Sequence, residues 1–437
     1  MKKKYRIILY TSIFLLCVVA SIILVVKKSN SVYEEESKPK VVKHKSMLSM
    51  NLEQTAGSGD YKTVTQSSWP TEGYKFNAEL SKCENGSTLS WDDTKKAVIM
   101  QGNVSDKCYV YFDIWIPSIA DYCTSGTDLA TCVKNFGDQG PSVSNIYIHN
   151  SSLTNGAGDN SYRYAGANPN NFVCFGSDAS PCPIDNLYRI IGVFGENYHG
   201  ANGKQLVKLI KYDYMTTDEL GTDGDYTQTY KEWGMDSTYK GTYGDGERIG
   251  VYHWNYKATG SVTNTWSTSL LNKTNLNTNF INNIGTTWAN KIATVTWKVG
   301  GNTWANIGTK TPSVAYTNEI TNPDATKSTD NATTYSAKIG LMYVSDYGFA
   351  ASPDAWTLTM SSYNNTTATN NNWMYMGLYE WTISRVAGNS YDAFGVNHDG
   401  FVNHSVNLTG VRASFNLESS VSYVSGSGSM SDPIVIN

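Results

Sequence analysis

Charge is scarce in this chain. Asp, Glu, Lys and Arg make up 16% of its 437 residues, and His occurs six times. Neither CxxC nor HExxH occurs, so the common zinc-binding spacings are missing. There is no Walker loop to cradle a nucleotide phosphate and no Gly-x-Ser-x-Gly elbow to present a nucleophile. The clusters "ELGTDGDYT" and "TYGDGERIG" lack the spaced acidic pattern with a distal Glu that a calcium loop needs, and they read as turns. No cofactor and no metal is expected. Aromatics, by contrast, reach 12%, with 30 Tyr and 12 Trp. That many rings can bury enough surface to offset chain entropy, so the composition is not a disordered one. Set among Asn, Ser, Thr and Gly, it suits a β-rich extracellular protein with long polar loops.

The N-terminus is the one long apolar stretch. Ile7 to Val26 is an almost wholly apolar run of 20 residues, about 30 Å as a helix, which matches one hydrocarbon core. It runs past the "VVAS" around Ala20, and Cys17 follows Leu16 rather than a small residue. The expectation is therefore an uncleaved signal anchor over residues 1–28, partnered by the lipid bilayer through 7–26. Lys2, Lys3, Lys4 and Arg6 favour a cytoplasmic N-terminus, which places the remainder outside the cell. Residues 1–45 carry ten of the 34 basic and three of the 38 acidic residues, leaving 24 basic and 35 acidic, a net −11. Such an ectodomain is a poor electrostatic match for nucleic acid.

Exported cysteines pair. Six lie beyond the apolar run: Cys83, Cys108, Cys123, Cys132, Cys174 and Cys182. Many connectivities are open, and proximity favours 83–108, 123–132 and 174–182. Organisation follows from composition. Residues 29–58 are charged and read as a stalk. Residues 59–115 read as a small β module stapled by Cys83–Cys108, with strands at "KAVIM" and "CYVYFDIW". In the second strand Tyr109, Tyr111 and Asp113 face one way and Val110, Phe112 and Ile114 the other. Residues 116–183 read as a connecting region with a short helix from Leu129, ended near Gly137, and loop chemistry up to Pro183.

From Ile184 to the end a larger domain is expected. "LYRIIGVF" and "KQLVKLIKYDYM" open it as a hairpin. A helix follows, with Leu270, Leu271, Leu276, Phe280, Ile281 and Ile284 at helical spacing, Ser267 as N-cap and Gly285 as stop. "IATVTWKVGG" and "SAKIGLMYVSDYGFAAS" read as strands. In "GVNHDGFVNH" the two histidines suggest a metal site, but the residues fit a hairpin better. With His398-Asp399-Gly400 as a three-residue loop and Gly400 left-handed, Val396 faces Val402 and Phe394 faces His404. The histidines are then roughly 10 Å or more apart at about 3.3 Å per residue, too far to share an ion.

The ordered set "LYRIIGVF", "TWSTSLLNKTNLN", "AKIGLMYVSDYGFA", "EWTISR", "GVRASFNLES" and "VSGSGSMSDPIVIN" resembles an uncharacterised family of bacterial surface domains abundant in gut Firmicutes. That family's fold is similar to C-type-lectin-like and formylglycine-generating-enzyme-like domains. The resemblance covers roughly residues 184–437. One departure is Val411-Arg412-Ala413 where the family pattern has Val-Arg-Pro. The resemblance implies an α+β, C-type-lectin-like domain with twisted antiparallel strands and one or two helices; the β module and the transmembrane helix read above precede it. The resemblance implies no activity. Formylglycine-type oxidation needs thiols in that domain, and no Cys follows Cys182. A lectin-type calcium site would show Glu-Pro-Asn or Trp-Asn-Asp, and neither occurs.

Two sets of residues invite a functional reading. Glu380, Arg385 and Arg412 could form a site, but with Trp381 they read better as structural anchors, the arginines finding partners in Glu380 or Asp346. Trp254, Tyr256, Trp373 and Tyr375 lie in polar loop segments such as "VYHWNYK" and "NNNWMYMGLYEW". They could stack on sugar faces or anchor a protein partner, or equally pack in the core of a loop-rich fold. The function expected from all of this is a non-enzymatic cell-surface binding or adhesion module for a glycan or surface protein. The alternatives are a structural envelope component and, third, a cryptic enzyme.

Overall fold

Between Cys108 and Ile114 side chains alternate, and the strand they form buries Cys108, Val110 and Phe112 while Tyr109, Tyr111 and Asp113 stay half-buried. In the computed structural model this strand is the centre of a small four-stranded sheet. Residues 48–437 are described, apart from 66–67, 104, 196–198, 202, 235–237, 324–331 and 406–408. The expected membrane segment over 7–26 lies outside the described residues. Among those described, no helix is long and apolar enough to cross a membrane. The fold is mixed α+β, 23% helix and 30% strand. It divides into two compact units, between Ile116 and Pro117.

The first unit starts earlier than the expected boundary at 59. Strand Leu48–Glu53 pairs in parallel with Cys108–Ile114, on the side opposite Tyr74–Cys83. Met50 and Leu52 supply half of its buried core with Val110 and Phe112, so the end of the expected stalk is a core strand. Cys83 and Cys108 sit opposite each other in the ladder and are disulfide-bonded.

The second unit takes in the expected connecting region. The helix Leu129–Gly137 begins where the sequence places it, Asp128 accepting from the Thr131 amide at 2.8 Å. The segment read as loop contains two strands, Tyr162–Tyr164 and Phe172–Cys174, both paired to Leu187–Phe194. Their flanking Gly, Asn and Pro residues shape turns, but the short aromatic runs between them pair. Cys123–Cys132 and Cys174–Cys182 are bonded in this segment. Leu187–Phe194 and Leu206–Lys211 form the expected hairpin, every residue buried, inside a seven-stranded sheet.

Two local readings need correction. The helix after Trp266 is π-wound over Leu271–Phe280 and then α-helical, broken at Gly285 with φ +77°. Its cap is Ser269, whose Oγ accepts from the Asn272 amide at 3.1 Å, rather than Ser267. "MYVSDYGFA" is not strand: Val344–Ala350 is a buried helix, because Asp346 reaches back to accept from the Tyr343 amide at 3.0 Å and so closes the helix start. Helical residues are spread over several short segments in place of the one or two helices expected.

Candidate functional site

Arg189 interrupts the apolar run of strand Leu187–Phe194. It stands opposite Phe172 on the neighbouring strand, so both side chains leave the same face of the sheet. The guanidinium lies between two rings, 4.3 Å from the centre of Phe172 and 4.7 Å from that of Trp373. Trp373 is held in place by its own amide, which donates to Gly166 O at 3.0 Å, and by Nε1, which donates to Tyr164 O at 2.9 Å. Two residues on, the Tyr375 hydroxyl donates to His398 O at 2.6 Å, tying this loop to the hairpin tip. The opposite wall is the Gly/Ser turn before the last strand. Phe172 N donates to Gly428 O at 2.8 Å. Gly428 has φ +82°, and a Cβ there would lie 2.6 Å from Asn170 O, so only glycine lets the turn come this close.

These walls enclose a cavity of about 590 Å³, a size typical of a small-ligand site. Its floor is the buried set Phe172, Arg189, Asn372, Trp373, Tyr375 and Met376. Its exposed rim carries Asn168, Lys240, Asn370, Met430 and Ser431, with Asn170, Tyr212, Thr369 and Ser429 half-buried between. None of the lining residues is Asp, Glu, His or Cys.

The floor is electrostatically open. Arg189 is 4% exposed, and among the described residues its N–H groups meet neutral acceptors: Asn171 Oδ1 at 2.7 Å, Pro169 O at 2.8 Å, Asn168 Oδ1 at 3.3 Å and Trp373 O at 3.5 Å. Burial, opposed by Tyr212 and aided by the charge of Arg412, pulls its pKa down to about 9, so it is still a cation at neutral pH. On the rim, Lys240 Nζ stands 4.3 Å from the centre of the Tyr375 ring, and partial burial lowers its pKa. Burial, followed by the neighbouring Asp213, raises the Tyr212 phenol, with Arg189 and Arg412 opposing.

Behind the floor, Arg412 and Glu380 form a bidentate buried pair, both contacts at 2.8 Å. Arg412 also donates to Met374 O at 2.6 Å and Tyr212 O at 3.4 Å, which positions two segments of the cavity wall. Glu380 is therefore spent on Arg412 and is not available to Arg189.

The residues singled out from sequence separate. Trp373 and Tyr375 meet in the cavity floor. Trp254 is 3% exposed, packs on Trp266 with ring centres 4.7 Å apart, and donates to Thr382 O at 2.9 Å, so it is a core residue. Tyr256 is 37% exposed and leans on His253, 4.6 Å between ring centres, away from the cavity. Trp381 is buried and donates to Tyr252 O at 2.9 Å. Arg385 is buried against Gly300, whose missing Cβ would stand 2.8 Å from its Nε. Asp346 partners neither Arg385 nor Arg412 but Lys208 and Arg163. The hairpin has the register read from sequence, Val396 opposite Val402 and Phe394 opposite His404, with Gly400 at φ +99°. His404 binds Asp392 at 3.1 Å. Among the described residues the one grouping with metal-like spacing is Cys83, Asp106 and Cys108, whose sulfurs are bonded to each other.

No protein-family model, no curated protein and no solved structure matches the chain. The cavity is thus read from its own chemistry. Sequence reasoning passed over Arg189, Lys240 and Phe172, which bring it that chemistry. The available signal was an arginine inside "LYRIIGVF", where a half-polar strand face is not expected.

Proposed function

We propose that the chain is a membrane-anchored bacterial cell-surface binding protein whose second unit, a C-type-lectin-like domain of the resembled family, presents this cavity to a glycan. The observation that carries the reading is the lining itself. Amides and hydroxyls at the rim offer the paired donors and acceptors that sugar hydroxyls use, above an aromatic floor. The rim hydroxyls of Thr369, Ser429 and Ser431 have no imidazole or carboxylate beside them in the lining, which favours binding over hydrolysis. Trp373 and Tyr375 act here as packing in the floor, because little of either ring is exposed; the contacts to ligand fall to Tyr212, Lys240, Asn168, Asn170 and Asn370, above the charge of Arg189.

The test is a glycan array with the full chain in mild detergent, comparing wild type with Ser431→Trp and Trp254→Ala. Ser431 is exposed on the rim, so the indole plugs the mouth without removing a buried contact. The expected outcome is a defined set of bound glycans, lost at least tenfold in Ser431→Trp with an unchanged melting temperature. Trp254→Ala should lower stability by about 3–5 kcal/mol. Binding that survives the plug, or no binding at all, overturns the reading; the second result points to a structural envelope component instead.

A further inference from the structure

Resting on that reading, we propose that the sugar residue seated in the cavity is anionic, carrying a carboxylate or a sulfate. Among the described residues, the cavity lining holds two cations and no anion. Arg189 is buried at its floor among neutral acceptors, and Lys240 has no ion-pair partner among the described residues. Behind the wall, Glu380 is closed off by both arms of Arg412, and Asp213 accepts from the Tyr239 hydroxyl and from the Thr242 amide and hydroxyl. A buried guanidinium left without a counter-charge keeps the full attraction for one in a medium that screens it weakly.

The geometry suits an acid group entering from solvent. Arg189 is fixed by Phe172 and Trp373 on its two faces and by Asn171 and Pro169 at its edge, so it meets a ligand without reorganising. Lys240, on a flexible stem at the exposed rim, can close over the same group as a point charge. The amides of Asn168, Asn170 and Asn370 and the hydroxyl of Tyr212 add neutral donors that serve a carboxylate as well as sugar hydroxyls. A second cavity makes the contrast. At about 230 Å³ it is lined by Asp185, Asp218 and Glu219, with Arg248 as its basic lining residue, already paired to Asp185 at 2.9 Å. An acid-free, cation-bearing lining therefore distinguishes the first cavity from the second.

The experiment measures the full chain by calorimetry against matched pairs: sialyllactose with lactose, a glucuronate-terminated disaccharide with its glucose counterpart, and a 6-sulfated galactose with galactose. Sodium chloride is set at 50 and 300 mM in turn. The acidic member of at least one pair should bind at least tenfold tighter, and which pair responds separates carboxylate from sulfate. The preference should shrink severalfold in high salt and in Lys240→Gln, and fall further in Lys240→Glu. Arg189→Gln should abolish it. Should that buried variant fail to fold, the two exposed Lys240 variants still decide the matter. Neutral sugars bound as tightly as acidic ones, with binding still blocked by Ser431→Trp, overturn the anionic ligand and leave the glycan reading standing. Binding of no member of any pair overturns both.

Discussion

Two buried arginines in the same unit are treated in opposite ways. Arg163 sits inside a closed set of charges: Asp159 at 2.9 Å and Asp346 at 3.6 Å, with Lys208 on the other oxygen of Asp346. Two cations meet two carboxylates. Burial works to raise both acids, but Arg163 and Lys208 reverse this, and Arg163 with His199 and Ser161 holds Asp159 well below the usual range. Arg189 has a comparable aromatic box, Phe172 and Trp373 in place of the Phe194, Tyr316 and Phe349 around Arg163. Among the described residues no carboxylate pairs with it. Aromatic walls and burial are thus common to both; what differs is whether the chain supplies the counter-charge. Where it does, the cluster is core. Where it does not, the cation lines a cavity open to solvent.

The comparison breaks most clearly at Asp346. Asp346→Ala strands Lys208 in the core beside Arg163, which keeps Asp159, and the second unit should lose about 3–5 kcal/mol, read as a fall in its denaturant midpoint. Arg189→Met should cost less, about 1–3 kcal/mol. It leaves the acceptors of Asn171 and Pro169 unmet but strands no opposite charge, and the methionine can stay between the two rings. Equal costs at the two sites would mean that Arg189 is neutralised internally after all, and the distinction would fall.

Much of the architecture is legible in the sequence where local chemistry decides it. The register at Val396 and Val402 follows from alternation plus one left-handed glycine. The cysteine pairs follow from proximity, and the start of the helix at Leu129 follows from Asp128. What is hidden depends on distant partners. Phe172–Cys174 looks like loop because its neighbours are Asn, Pro and Gly, and it becomes strand only against Leu187–Phe194. Val344–Ala350 looks like strand until Asp346 caps it. The cavity is the extreme case. Its lining comes from six separated segments between Ala167 and Ser431, and the meaning of Arg189 lies in neutral partners gathered from distant parts of the chain, which no window of sequence displays.

The smallest effect distinguishes the two regions by pH. His149 and His199 both face the Arg163 cluster. Burial lowers the His149 pKa well below 6.5; Arg163 lowers it too, and Asp159 opposes. For His199 burial again leads, Asp159 opposes, and Arg163 and Lys208 add to the lowering. The folded imidazoles are neutral, and His149 Nδ1 accepts from the Ala157 amide at 3.0 Å, a bond that protonation removes. Between the lowered folded values and the unfolded value of 6.5, the unfolded chain binds more protons. Stability is therefore full above about pH 6.5 and declines below it, by up to about 1.4 kcal/mol per pH unit for each histidine. Asp159 and Asp346, held low, add nothing to this slope until the pH nears their unfolded value of 3.8. Thermal melts at pH 7.5, 6.5 and 5.5 should show the fall, and His149→Gln should flatten it by about half of that slope. Arg189 stays a cation in this window, so the charge at the cavity floor is constant while the closed cluster weakens. A melting temperature that is level from pH 7.5 to 5.5 would show that the histidines are not held neutral by the fold. It would also remove the only respect in which acid tells the closed cluster from the open one.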